Sequence, residues 1–343
     1  MEIIYTKILK VDPATGQIAI AAFADAQNLT LYLEGILSEI ANNEGDREYE
    51  FDPDKLTTRT YISRVVGQDN PDDASVDLAS KLASVEGDAQ DRVNQMGVVI
   101  QRGVLIVSYV RMTETENKLI ISKADYTEFM EEDTGLIKFG LATRKRLFKS
   151  FVVNYSQQNG QTEQGRMITF DTNRTRSTYW WKEFLELKEK RNNTTNSKTA
   201  FESIQNKILG PLEHRYKSDF LELWNRTIAY FRVEGEFDIN HYRDVIIGTY
   251  TPADNRLSII DLKQKITNLP AQGGFDALFM KDTGAIRKRF KKDIELTDEV
   301  SLVIKQNMPS LRNVFSAVRD EDGEKCIRIK SDKGFEYAES LTT

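Results

Sequence analysis

Three clusters of lysine and arginine are the residues of this chain best suited to a single chemistry, the neutralisation of phosphate. Arg144, Lys145, Arg146 and Lys149 form the first. Arg174 and Arg176 form the second, and Arg287, Lys288, Arg289, Lys291 and Lys292, arranged around Phe290, form the third. Cations of this kind displace condensed counterions from a nucleic-acid backbone, so the contact is salt-sensitive and carries no base sequence information. Each cluster reads equally well as a solvated face or a domain interface. The charge around them is uneven. Residues 1–100 hold 8 basic and 18 acidic side chains, while residues 138–191 hold 12 basic and 5 acidic ones, in a chain whose net charge is −6. An acidic total argues against one continuous basic surface but leaves room for local patches.

Other chemistries find less support. The two histidines, His214 and His241, stand in neither an HExxH nor a zinc-finger spacing and read as structural or surface residues. The single cysteine, Cys326, alternates with Ile327 and Ile329 as a strand residue would, and one cysteine builds no intrachain disulfide. No P-loop and no GxGxxG fingerprint is present, and the QGG at Gly273 and Gly274 is too short to bind phosphate by itself. Asp125 and Glu128 are carboxylates that could face a cleft, as a metal-dependent nuclease requires, or lie exposed on a strand. No catalytic, metal or cofactor-binding residue is expected. The chain has no run of 18 apolar residues and opens without the apolar core of a secretory leader, so no membrane contact and a cytoplasmic location are expected.

The elements that must position these residues fall into two halves. Residues 3–10 and the IAIAAF stretch read as strands around a VDPATGQ turn. NLTLYLEGILSEIANN reads as a helix with an apolar stripe of Leu29, Leu31, Leu33, Ile36, Leu37 and Ile40, ended by Asn42, Asn43 and Gly45. The segment from Ala74 to Gly97 resembles a second helix, weak at Gly87. GVVIQRGVLIVSYVRM and ENKLIISKADYTEF read as strands joined near Thr113–Asn117. Helical patterns then cover residues 176–190, 198–209 and 213–231, with Asn192–Thr195, Gly210 and Pro211 between them. FDINHYRDVIIG reads as a short helix capped by Asp238, and VSLVIK with KCIRIK as a terminal strand pair. The expected class is α+β: a mixed α/β domain with antiparallel strands over residues 1–168, then a mostly helical domain with a small terminal sheet over residues 169–343.

The adjacent tryptophans of YWWKEFLEL lie in a basic region, where an aromatic platform for unpaired bases is one reading. Helical spacing favours a different one. Trp180, Phe184 and Leu187 share a face that a neighbouring helix would bury, while Glu183, Glu186 and Glu189 take the polar side. The stretch FDTNRTRSTYWWKEFLELKEKRNNTTNSKTAFESI resembles the central region of the 37-kDa nucleoid-associated (NdpA) protein family. KLIISKADYTEFMEEDTGLIKFGLATRKRLFKSFVV is similar to that family's strand-rich N-terminal segment, and MPSLRN is compatible with its close. The resemblance implies a bacterial nucleoid location and DNA association, and carries no catalytic set onto these residues. The expected function is therefore non-enzymatic, sequence-independent contact with double-stranded DNA through the three cationic clusters. The alternatives are an adaptor brought to the nucleoid by a protein partner, and a metal-dependent nucleic-acid enzyme whose site the sequence does not display. Self-association stays open.

Overall fold

The computed structural model describes residues 1–21, 26–42, 47–97, 99–142, 148–158, 161–171, 177–308 and 311–342. The chain divides into two compact units, Met1–Asn192 and Asn193–Thr343. An N-terminal mixed α/β region with an antiparallel sheet is followed by a mostly helical region with small additional sheets.

The first unit contains β1 (Glu2–Asp12), β2 (Gln17–Ile20), α1 (Ala26–Ala41), β3 (Arg47–Phe51), α2 (Thr57–Val66), α3 (Pro71–Val93), β4 (Gly103–Arg111), β5 (Glu116–Met130) and β6 (Ile137–Leu141). It continues with β7 (Phe148–Gln158), β8 (Gln161–Asp171), a π-helical turn at Tyr179–Phe184 and β9 (Leu187–Glu189). Its strands join in the order β2-β1-β4-β5-β7-β8-β3-β9, every pair antiparallel, and β6 pairs with the far half of β5.

Side chains alternate across a strand, and here both faces are dry. Val104, Ile106, Ile120, Val152 and Ile168 meet Leu33, Ile36, Leu37 and Ile40 of α1. The intervening Leu105, Val107, Leu119, Ile121, Phe151 and Val153 meet Ile62, Leu78 and Leu82 of α2 and α3. That double burial is why the central strands read as continuous apolar runs. The expected α1 stripe is present except at Leu31, which is 59% exposed, and Leu29, which is partly buried at the edge of that core. The cap residues Asn43 and Gly45 lie outside the described residues.

Local signals set the α3 start. Gln68 and Asn70 take left-handed backbone angles, Pro71 opens the helix, and Asp72 and Asp73 occupy its first turn, where the helix dipole favours negative charge. The helix runs unbroken through Gly87. A glycine costs about 1 kcal/mol there relative to alanine. Burial of Leu78 and Leu82, each contributing roughly 1.5–3 kcal/mol, outweighs it.

The aromatic segment is not one helix over residues 176–190. The N–H of Leu185 donates to the Trp180 carbonyl at 3.0 Å, closing a π turn, and Glu186 then adopts φ 56°. This left-handed step turns Leu187–Glu189 into a strand paired with β3. Trp180 and Phe184 are buried as expected, their ring centroids 5.0 Å apart, in the core that α3 shares with the sheet. Glu186 departs from its expected polar face and is buried. Its carboxylate accepts from the Thr58 N–H at 2.8 Å, capping the start of α2, and pairs with Lys81 Nζ at 2.5 Å. The strained backbone is held by these contacts, together with the Thr58 hydroxyl donating to the Phe184 carbonyl at 2.6 Å.

The second unit comprises α4 (Asn193–Ser203), a π segment at Ile204–Leu209, α5 (Gly210–Glu213), α6 (Lys217–Arg232), β10 (Glu236–Asp238), α7 (Ile239–His241) with a π continuation to Ile247, α8 (Ile259–Thr267) and α9 (Leu269–Gly273). It continues with β11 (Leu278–Met280), α10 (Thr283–Ile286), a 3-10 turn at Arg287–Phe290, β12 (Lys292–Glu295), β13 (Ser301–Ile304), α11 (Leu311–Val314), β14 (Phe315–Arg319), β15 (Lys325–Ile329) and α12 (Asp332–Thr342). Phe220, Leu223, Trp224, Ile228 and Phe231, spaced three or four apart on α6, enter a core with Phe201, Phe237, Tyr242, Phe275 and Phe279. Asp238 caps the following helix, accepting from the Asn240 N–H at 2.8 Å. Thr194 and Thr195 lie inside α4, and Gly210 and Pro211 begin α5, where proline's missing N–H costs nothing. The terminal strand pair is corrected: β13 pairs with β12, and β15 pairs with β14, because short hairpins close locally before distant strands can meet.

Glu186→Ala is expected to lower the unfolding free energy by about 1–3 kcal/mol, because it removes the acceptor of the buried Thr58 N–H and the carboxylate paired with the half-buried Lys81. Urea denaturation measures this, and a variant as stable as the parent contradicts it.

Candidate functional site

The cationic clusters are placed very differently. Arg144, Lys145, Arg146, Arg174 and Arg176 lie outside the described residues. Lys149, on β7, is mostly buried and pairs with Asp171 of β8 at 3.3 Å. In the third cluster Ile286 and Phe290 are buried and pin the turn to the core of the second unit. Arg289 pairs with Glu202 of α4, and Lys292 pairs with Glu213 while its ammonium stands 5.2 Å from the centre of the Phe220 ring. Arg287, Lys288 and Lys291 project into solvent. The structure thus brings the five residues of the third cluster together and turns three of them outward.

A second cationic surface escaped the sequence reading. On the β8-β3-β9 side of the first unit, Arg166, Lys190 and Arg191 converge on one carboxylate, Glu48, at 2.6, 3.0 and 3.0 Å. Burial alone would push Glu48 up, but the three cations outweigh it and hold the carboxyl below its usual range. Three cations thus gather on one carboxylate. These residues are far apart in sequence and meet only because β3 is inserted between β8 and β9.

The first unit also carries an open cleft of about 530 Å³, lined by Lys123, Asp125, Lys149, Tyr179, Arg92 and Glu183 among others. Lys123 is 1% exposed. Its ammonium donates to the Gln101 carbonyl at 2.5 Å and pairs with Glu86 and with Asp125, each at 2.9 Å. Tyr179 donates to Glu86 at 3.1 Å. Burial pushes the Lys123 ammonium down, but the Glu86 and Asp125 carboxylates more than reverse this and keep it charged. Burial pushes the Glu86 carboxyl above its usual range against the pull of Lys123, and pushes the Tyr179 phenol far up, so that it stays a neutral donor. Bonded to one carbonyl and held charged between two carboxylates, the Lys123 ammonium has no lone pair to offer and serves as a fixed charge. Asp125 therefore does face a cleft, whereas Glu128 is exposed on β5. Both halves of the buried pair had a readable signal. Lys123 continues the inward alternation Leu119, Ile121, and Glu86 continues the stripe Leu78, Leu82 at helical spacing.

Among the described residues no group of three or more histidine, cysteine, aspartate or glutamate side chains has metal-binding geometry. His214 and His241 are exposed, His241 lying against Tyr230. No protein-family model, curated protein or solved structure matches the chain.

Lys123→Met leaves Glu86 and Asp125 in the interior without their cation and is expected to cost about 3–5 kcal/mol near neutral pH. Glu86 would then titrate still higher in the folded state than its unfolded value of about 4.3. The folded variant therefore takes up protons before the unfolded chain does, and its deficit should shrink as pH falls from 7 toward that value. Stability measured against pH in parent and variant tests the sign: a deficit that grows on acidification contradicts it.

Proposed function

We propose that this protein contacts nucleic acid, foremost double-stranded DNA, through its phosphates, with moderate affinity, little base preference and no catalysis. The observation that carries this reading is the turn at Arg287–Phe290. Three cations, Arg287, Lys288 and Lys291, are exposed on a segment whose apolar residues are buried and whose remaining cations are tied to Glu202 and Glu213. A pinned turn presents charge with less loss of side-chain and backbone freedom on binding than a loose one. The three cations gathered on Glu48, with Lys190 exposed among them, form a second phosphate-compatible cluster on the other unit. The resemblance of the aromatic segment to the 37-kDa nucleoid-associated family supports a nucleoid location. Neither surface presents the recognition helix in a groove, or the exposed aromatic row, that base readout would need. Among the described residues no helix is long and apolar enough to cross a membrane.

The test is titration of nuclease-treated protein against labelled duplex DNA, single-stranded DNA and RNA across a salt series. Each phosphate contact contributes about 0.9 to the slope of log affinity against log salt for duplex DNA. The triple variant Arg287→Ala, Lys288→Ala, Lys291→Ala should therefore lose up to about 2.7 from that slope, with circular dichroism unchanged. No duplex binding at low salt, or a slope untouched by the triple variant, would overturn the reading.

A further inference from the structure

The terminal helix α12 is amphipathic, and its apolar side stands in water. At helical spacing Phe335, Tyr337, Ala338 and Leu341 fill one arc, and Asp332, Glu336 and Glu339 fill the arc opposite. Phe335, Tyr337 and Leu341 are 66%, 72% and 73% exposed. A helix of 11 residues is marginal in water unless its apolar stripe packs on a surface. The start of this one is fixed by Ser331, whose hydroxyl and carbonyl accept the N–H groups of Gly334 and Phe335, each at 3.0 Å. Lys330 still belongs to the preceding hairpin, donating its N–H to the Val314 carbonyl at 3.1 Å. The joint between β15 and α12 is therefore the single step from Lys330 to Ser331. The same unit holds an open apolar groove of about 330 Å³ between α6 and the β12–β13 and β14–β15 hairpins, lined by Leu221, Ile294, Leu302, Phe315, Ala317 and Ile327 among others. The register sets Phe315 opposite Ile329, Ala317 opposite Ile327 and Arg319 opposite Lys325. Side chains alternate along a strand, so these six share the hairpin face that lines the groove, with the two cations at its tip.

We propose that α12 folds back about this joint and closes the groove of its own chain, running antiparallel to β15 with Phe335, Ala338 and Leu341 inward. The structure shows the open arrangement. Three observations select α12 as the occupant. The first is reach: Ile327 lines the groove, and α12 begins a few residues beyond it, so the tether holds the helix beside the groove at an effective concentration on the order of millimolar. The second is length. Eleven helical residues span about 16 Å and the five residues of β15 about 17 Å, so the helix covers the strand from end to end. The third is charge. Folded back, α12 brings the negative end of its dipole to Arg319 and Lys325 at the hairpin tip, while Asp332, Glu336 and Glu339 stay turned to solvent. The opposite direction along β15 would carry the helix away from the groove. The groove is at the small end of ligand clefts, so it receives the side chains of the apolar stripe and not the helix backbone.

Disulfide trapping in the full chain tests the closure. In a Cys326→Ser background, Ala317→Cys with Ala338→Cys should oxidise to a disulfide within one chain under copper–phenanthroline, read as the loss of both thiols in a monomeric species. Ala317→Cys with Glu336→Cys, on the outward arc, should stay reduced. A second readout needs no cysteine. Ala317→Trp fills the groove without touching α12, and should raise the rate of tryptic cleavage at Lys330 and Lys333 severalfold over the parent, as should Phe335→Glu with Leu341→Glu. Glu336→Gln should leave that rate unchanged. Equal oxidation of the two cysteine pairs, a disulfide found only between chains, or a cleavage rate indifferent to Ala317→Trp would each overturn the proposal.

Discussion

Strands β4, β5 and β7 are covered on both faces, and most of the first unit can be argued from that condition. A sheet with two dry faces has no polar alternation to fix its orientation, so helices must dock on both sides and each must bring an apolar stripe of matching width. α1 does so on one side and α2 with α3 on the other, and Trp180 with Phe184 fills what α3 leaves open. In such an interior a polar group persists where a partner meets it, from another layer or from the neighbouring strand. Lys123 meets Glu86 across the sheet–helix boundary, and Ser122 meets Ser150 at 2.9 Å between adjacent strands. The Lys118 ammonium, pushed down by burial, donates to the Ala41 carbonyl at the end of α1.

The same economy explains the fate of the cations. A count of positive charges along residues 138–191 suggests a basic surface, yet much of that charge is matched within the fold. Arg166, Lys190 and Arg191 share Glu48, Lys188 pairs with Glu50, and Lys149 with Asp171. The acidic N-terminal stretch supplies several of these partners from β3. Opposite charge in two distant stretches of the chain is thus largely an internal complementarity. Among the described residues, the cations turned to solvent include the three outward residues of the Arg287–Lys291 turn.

The elements that were legible in the sequence are those whose signal is local. The β1–β2 hairpin, α1, α3, the β4–β5 pair, the burial of Trp180 and the Asp238 cap each follow from periodicity or a single turn. The errors share a cause of the opposite kind. Residues 187–189 carry a helical pattern, but the open edge of β3 competes for them, and Glu186 pays with a left-handed backbone. The pairing of β13 and β15 with their nearest neighbours likewise depends on which closure is shorter. For the site, clusters contiguous in sequence were visible, whereas the Glu48 surface and the Lys123 pair were not, since their members come from separate strands and helices. The positions of Lys123 and Glu86 within apolar stripes were the available clue.

The position of β3 has a consequence for how the chain is made. β3 spans Arg47–Phe51, but its two neighbours, β8 and β9, are synthesised more than a hundred residues later. On the ribosome, β3 and the start of α2 must wait without their final partners until Glu186 and Leu187 have left the exit tunnel. The sheet edge, the α2 cap and the aromatic plug are then completed together by one short stretch of chain. Synthesis of the second unit begins immediately afterwards at Asn193, so the first unit acquires its last strand only as the next one starts to emerge.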